Sequence, residues 1–280
     1  PEENGNIQMM LTGPSCSISV KSTTADYVID WGDGMTENAS GTGSKSYPHT
    51  YGDDGLYQVE VRNCGDVTSC MASTSCLVAY WSIGESKVYN ITFSGCYYLI
   101  YFGKDVFKND INRTYANELL YNCNELTSVD LTPLSGLVNV TNAYRMLSGC
   151  YKLTSVDLTP LSGWVNVTSA DSLLGGCYGL TSVDLTPLSG WVNVTNAYSL
   201  LSGCNKLTSV DLTPLSGWVN VTNVYYLLNG CNKLTSVDLT PLSYLTKMSN
   251  NAGLISSCRS LAFVSVLSTT PFPLSSGALT

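Results

Sequence analysis

Residues 204–230 read CNKLTSVDLTPLSGWVNVTNVYYLLNG, and the same phrase, altered at a few places, runs from Cys96 to Cys258. Cysteines recur as Cys96, Cys123, Cys150, Cys177, Cys204, Cys231 and Cys258, each 27 residues after the last. A strict period of this length marks units that bury their apolar faces only against neighbouring copies, so one coil per repeat is expected to stack on the next. Counting each Cys as zero, position 3 is apolar throughout (Leu99, Leu126, Leu153, Leu180, Leu207, Leu234, Leu261). Position 6 is Phe102 and then Val129, Val156, Val183, Val210, Val237 and Val264; position 8 is Leu131, Leu158, Leu185, Leu212, Leu239 and Val266, but Lys104 in the first unit. Positions 6 and 8 lie two apart, so on a strand both point inward and the residue between them outward. Thr-Pro-Leu ends the strand because proline cannot donate to a ladder, and the apolar residue at position 11 (Phe107, Leu134, Leu161) returns the chain to the core.

Later in the unit, Val192 and Val194 alternate with Trp191, Asn193 and Thr195, which predicts a second extended piece. From Asn196 to Leu201 the apolar spacing predicts one or two helical turns, with Thr195 or Asn196 as N-cap and Gly203 near the C-terminus. Some seven coils at ~4.8 Å spacing give a rod about 30 Å long.

The cysteine column could in principle serve metal or disulfides. Metal pairs sit two to four residues apart, whereas here the pitch is one whole coil. Parallel Cβ vectors in stacked coils also oppose bridging, so buried free thiols are the expectation.

The combination of LTSVDL, NVTN and a closing Gly-Cys, repeated without a gap, resembles the BspA-like leucine-rich repeats. The resemblance covers about 165 residues and implies a right-handed solenoid on a surface-exposed protein used in adhesion or partner recognition. Such repeats occur in bacterial surface proteins and in some phage tail or fibre proteins. The Gly-Trp-Val extension in the units holding Trp164, Trp191 and Trp218 departs from that family.

Two columns are expected outside. Asp130, Asp157, Asp184, Asp211 and Asp238, flanked by Ser128, Ser155, Ser182, Ser209 and Ser236, should face away from the parallel sheet. Stacked like charges repel, so a cation, a hydroxyl-rich ligand or neighbouring Thr donors should relieve them. They form either a binding row for a polysaccharide or a solvated ladder that protects a flat sheet. Trp164, Trp191 and Trp218, with Leu137 and Tyr244 at the ends, offer stacking faces for sugar or protein, or else fold over the turn as packing. Tyr144, Tyr198 and Tyr225 read as packing on the helical side. Asn139, Asn166, Asn193 and Asn220 sit in Asn-Val-Thr, and Asn38, Asn90 and Asn112 also match a glycosylation sequon. Repetition favours a structural amide ladder.

Before the repeat, alternation predicts strands at Ile7–Leu11, Cys16–Val20, Tyr27–Trp31 and Leu56–Val61, separated by turn-forming stretches that include Asn38–Lys45. Asp30-Trp31-Gly32-Asp33-Gly34, then His49-Thr50-Tyr51 and Gly55 to Val61, resemble the PKD-type immunoglobulin-like fold over roughly residues 7–64. That resemblance implies a spacer or presentation module. His49, the sole histidine, is expected to be structural, as it can build neither a His-rich metal site nor a two-His acid–base pair. Asp26, Asp30, Asp33, Asp53 and Asp54 read as turn formers rather than Ca²⁺ ligands. Cys16, Cys64, Cys70 and Cys76 allow two disulfides in three pairings, or buried free thiols. Val78–Ile83 and Lys87–Phe93, with a turn at Gly84-Glu85-Ser86, are expected to cap the first coil.

The chain has 280 residues, a net charge of −8 and only 12% charged residues, with its acidic excess concentrated before Cys96. An acidic chain without a basic run is a poor nucleic-acid binder. No apolar run approaches the ~18 residues of a membrane span. With Pro1 first, the chain reads as a processed or trimmed piece, and Thr270-Pro271-Phe272-Pro273 breaks the last unit without a recognisable cap.

These readings add up to a mainly β chain with short helices: a β-sandwich over residues 1–65, connecting and capping strands over 66–95, and a right-handed leucine-rich solenoid over 96–280. The expected function is non-catalytic recognition of a cell-surface glycan or protein at an extracellular, cell or virion surface. The alternative is a module of a phage tail or head fibre, as a homo-oligomer or with other subunits. No cofactor or metal is called for, and an enzyme lacks the necessary groups.

Overall fold

The computed structural model describes residues 6–23, 26–39, 42–64, 67–83 and 91–266. The fold is mainly β. Eight strands build the first part: β1 (Asn6–Thr12), β2 (Ser15–Ser22), β3 (Tyr27–Asp30), β4 (Thr36–Ala39), β5 (Gly43–Thr50), β6 (Leu56–Arg62), β7 (Val67–Ala72) and β8 (Leu77–Ile83). One sheet runs β4-β3-β6-β1-β8 and continues into β9 (Tyr101–Phe102); the other runs β5-β2-β7. Alternation on β1 and β2 buries Ile7, Met9, Leu11, Ile18 and Val20 between the sheets. Polar tips in this core are paired: the hydroxyls of Tyr27 and Tyr47 lie 2.7 Å apart, and that of Tyr80 donates to the Cys70 carbonyl at 2.9 Å. Cys16 and Cys76 form a disulfide, while Cys64 and Cys70 are buried free thiols.

The boundary expected at residue 65 therefore falls inside the sheets, because β7 pairs with β2 and β8 pairs with β1. β8 also pairs in parallel with β9, joining Ala79 to Tyr101 and Tyr80 to Phe102, so the last strand of the first part is the floor on which the first coil is laid. The expected turn at Gly84-Glu85-Ser86 and most of the strand at Lys87–Phe93 lie outside the described residues, as do Asn90 and Thr270–Pro273; Ile91–Phe93 is not a strand. Of the turn-forming stretch expected at Asn38–Lys45, residues 38–39 belong to β4 and residues 43–45 to β5. Both are sheet edges that expose most of their residues, so they carry no apolar alternation.

From Cys96 onward, equivalent residues of successive repeats stack. Parallel bridges link Tyr115 to Asn142, Asn142 to Ser169, Ser169 to Asn196, Asn196 to Asn223 and Asn223 to Asn250. The LTSVDL segments join more sparsely, by single bonds such as Thr154 N–H to the Thr127 carbonyl at 3.0 Å. Only β10 (Ser236–Asp238) and β11 (Phe263–Ser265) pair there as full strands. The parallel sheet expected along every LTSVDL is thus a correction: continuous pairing moves to the opposite side of each coil.

The helical turns expected from Asn196 to Leu201 are absent; among the described residues there is no α-helix. The backbone shows why. N–H groups of Ala197, Ser199, Leu201 and Gly203 donate to Asn223, Tyr225, Leu227 and Asn229 in the next coil, and those of Leu200, Ser202 and Cys204 close local turns onto Ala197, Ser199 and Leu201. Half the donors an α-helix needs are spent between coils. In the repeats the helical pieces among the described residues are short 3₁₀ turns at Thr-Pro-Leu, such as Thr186–Leu188, whose leucine is buried.

The interior is a set of ladders. Each repeat cysteine after the first donates its thiol to a carbonyl thirty residues earlier, as from Cys177 to Leu147 at 3.2 Å, and only Cys258 is less than buried. These thiols form neither metal sites nor disulfides in the described residues.

Candidate functional site

The two columns expected outside part company. Trp164, Trp191 and Trp218 are buried, at 0%, 0% and 1% exposure. Their rings stack at 6.3 and 6.4 Å, and each indole N–H donates to a carbonyl thirty residues earlier: Leu134 at 3.2 Å, Leu161 at 3.1 Å and Leu188 at 3.0 Å. They are corrected from a presented stripe to core. Leu137 and Leu245 continue their column inside; Tyr244, named as its end, takes the place of the glycine before each Trp and is 58% exposed. An indole can be buried because a main-chain acceptor waits for its one donor.

Asp130, Asp157, Asp184, Asp211 and Asp238 are exposed, as expected, and each Oδ1 accepts the backbone N–H two residues on, from Thr132, Thr159, Thr186, Thr213 and Thr240, at 2.8–2.9 Å. Each carboxylate thereby starts the 3₁₀ turn beside it. The hydroxyl and N–H of Thr159, Thr186 and Thr213 hold the carboxyls of Asp157, Asp184 and Asp211 below the usual range; for the last two the neighbouring aspartate pushes the other way. Threonine donors offset the stacked charge at Asp157, Asp184 and Asp211.

Other constant residues are engaged similarly. The amides of Asn139, Asn166, Asn193 and Asn220 donate to Ile111, Val138, Val165 and Val192 of the preceding coil at 3.0–3.3 Å. The hydroxyls of Thr141, Thr168, Thr195 and Thr222 donate to the carbonyl of the threonine before them in the column. The constant part of the phrase is therefore occupied in holding coil to coil.

In the first part of the chain, His49 stacks on Trp31 with ring centroids 4.4 Å apart, and its Nε2 lies 2.8 Å from Asp33 Oδ2. Asp30 accepts from Gly32 N–H and Arg62, and Asp33 from Met35 N–H, so these carboxylates brace turns.

What remains is the side of each coil where the repeat varies. One column reads Glu118, Arg145, Ser172, Ser199, Tyr226 and Gly253, and every member has a positive φ between 50° and 62°. The backbone is constant and the side chain is not. Beside it run Tyr121, Ser148, Gly175, Ser202 and Asn229, and, just after the cysteines, Tyr97, Asn124, Tyr151, Tyr178 and Asn205. These columns flank a groove of about 270 Å³ whose walls include Tyr121, Arg145, Tyr151 and Tyr178 and whose floor includes Gly149 and Gly176. Tyr151 and Tyr178 stack at 4.8 Å with planes 4° apart, and they remain 41% and 45% exposed. The Arg145 guanidinium lies 4.8 Å from the Tyr144 ring centre and 3.7 Å from Glu118. Burial, then the Tyr178 and Tyr121 phenols, raise the Tyr151 hydroxyl, which stays a neutral donor and acceptor.

The floor needs glycine. Gly149 has φ +76°, and a Cβ there would collide with the Asn122 amide oxygen. Tyr121, Tyr151 and Tyr178 belong to no motif and to no constant column, so the sequence reading passes over this groove. The signal that finds it is which positions vary among copies that are otherwise alike.

Among the described residues no group of carboxylates, thiols and imidazole could hold a metal ion, and no helix is long and apolar enough to cross a membrane. The chain matches no protein-family model and no curated protein.

Proposed function

We propose that the chain is a non-catalytic extracellular recognition protein, in which a PKD-like β-sandwich presents a right-handed, BspA-like leucine-rich solenoid. Its ligand is a glycan or protein on a cell or virion surface, held on the variable side of the coils. One observation carries this reading: the Asp, Asn, Thr and Cys columns repeat and are bonded within the stack, whereas the varying column that holds Arg145 opens onto a groove. A surface that must only stack has no reason to change its chemistry from coil to coil, while one that must discriminate does.

The test is binding of the fluorescently labelled chain to intact bacterial and eukaryotic cells. Binding is expected to drop on Arg145→Ala with Tyr178→Ala and to persist in Asp157→Asn. Equal binding by all three proteins sinks the proposal.

A second reading, a subunit of a fibre or other assembly, is favoured by a row of exposed aliphatics: Ile111, Val138, Val165, Val192 and Val219, each 44–57% exposed. Sedimentation decides it. Oligomers that dissociate on Val165→Lys with Val192→Lys support assembly, and a monomer at all concentrations excludes it.

A further inference from the structure

We infer that the groove between Tyr121 and Tyr178 binds an uncharged sugar unit of a surface glycan; the inference rests on the reading of the variable side as the recognition surface. A pyranose has an apolar C–H face and a rim of hydroxyls, so its site needs an aromatic surface next to many small donors and acceptors. The groove has both. Tyr151 and Tyr178 are parallel, and the next side chains in their column, Asn124 and Asn205, are shorter than a tyrosine ring, which leaves the outer ring faces uncapped by another aromatic. Ser148 and Ser202 border the same groove, with Ser172 and Ser199 buried at its lining; the Ser172 hydroxyl donates to Asp171 and that of Ser202 to the Asn229 carbonyl, which leaves their lone pairs as acceptors.

The floor is shaped for close approach. Gly176, at φ +74° and partly exposed, brings backbone rather than side chain to the surface, while Gly149 is buried. A lipid chain would call for an apolar trough, and this one is lined mainly by hydroxyls, amide and phenol groups. Charge selects among sugars. The cation that lines the groove, Arg145, lies 3.7 Å from Glu118, and the chain as a whole is acidic, so a carboxylated or sulfated sugar gains little attraction there. The groove is short, so one or two rings are held.

The experiment is saturation-transfer NMR and titration of the whole chain with defined oligosaccharides: mannotriose, cellobiose and N-acetyllactosamine as neutral probes, sialyllactose as an acidic one. At least one neutral probe is expected to bind at millimolar concentration or tighter. Tyr178→Ala should weaken it at least tenfold and Tyr178→Phe much less, with circular dichroism confirming that both fold. Asp184→Asn should bind like the parent. Binding of sialyllactose alone, or of no probe, overturns the inference, as does neutral binding that Tyr151→Ala and Tyr178→Ala leave untouched. Cell binding separates this from the broader reading. If cells are bound through the groove but periodate oxidation of their sugars has no effect, the ligand is protein: the sugar inference fails and the recognition surface stands. If groove variants bind cells like the parent, both fall.

Discussion

The indole N–H of Trp191 donates to the main-chain carbonyl of Leu161, 3.1 Å away and thirty residues earlier. The bond ties one coil to its predecessor and satisfies the single donor of the buried ring. It makes Trp191 a strut of the stack.

Trp191→Phe keeps most of the apolar volume and removes one of two donors to the Leu161 carbonyl, which retains the Trp164 N–H at 3.0 Å, at an expected cost of about 0.5–1.5 kcal/mol. Trp191→Ala adds a cavity between Trp164 and Trp218 and should cost about 3–5 kcal/mol. Urea unfolding followed by circular dichroism measures both. An alanine variant as stable as the parent would contradict the placement of the ring.

The thiol ladder predicts alkaline sensitivity. Burial pushes the Cys150 and Cys204 thiols up to about 12, and raises Cys177 and Cys231 as well. The unfolded chain loses these protons from about pH 8.5, while the folded chain keeps them. Stability is therefore fully present below about pH 8.5 and declines as pH rises towards 12, by up to ~1.4 kcal/mol per thiol for each pH unit. Denaturant midpoints at pH 7, 9 and 10 check the slope. Iodoacetamide at pH 8 should label the repeat cysteines slowly, with Cys258, the least buried, first.

The aspartates give the opposite dependence. Hydrogen bonds from Thr159, Thr186 and Thr213 depress the carboxyls of Asp157, Asp184 and Asp211, so their contribution is present above the unfolded value near pH 3.9 and is lost as pH falls through the lower folded values. Replacing all three by Asn should flatten the acid limb of the stability curve below about pH 4 while leaving cell binding unchanged. A parent whose thermal midpoint is flat from pH 5 to pH 2 would exclude this role.

Gly149→Ala should be costly although it adds one methyl group. Its φ of +76° disfavours any side chain, and the Asn122 amide must also move. A loss of more than about 1 kcal/mol is expected, partly recovered by Asn122→Gly, in a double-mutant cycle on urea midpoints. Independent effects of the two changes would show that they do not meet.

Much of this architecture is legible in the period. Leu153, Val156 and Leu158 are spaced so that a stacked coil has to turn them inward, and burial follows for the leucines, with Val156 partly covered. The cysteine column could be placed inside for the same reason. β1, β2, β3 and β6 follow from alternation because they face a shared core, while β4 and β5, at the edges, leave no such trace. The groove leaves a different trace, in the column of Arg145, Ser172 and Ser199, where one left-handed backbone carries unlike side chains.

The sequence alone determined that equal units pile up and that aliphatics and thiols line them, because periodicity and burial are properties of the unit itself. The tertiary structure decided the rest. Whether Trp191 points in or out depends on a carbonyl thirty residues away, and whether residues 197–203 coil into a helix depends on acceptors in the next repeat. A hydrogen bond to another coil has no local signature, so pattern within one unit cannot reveal it.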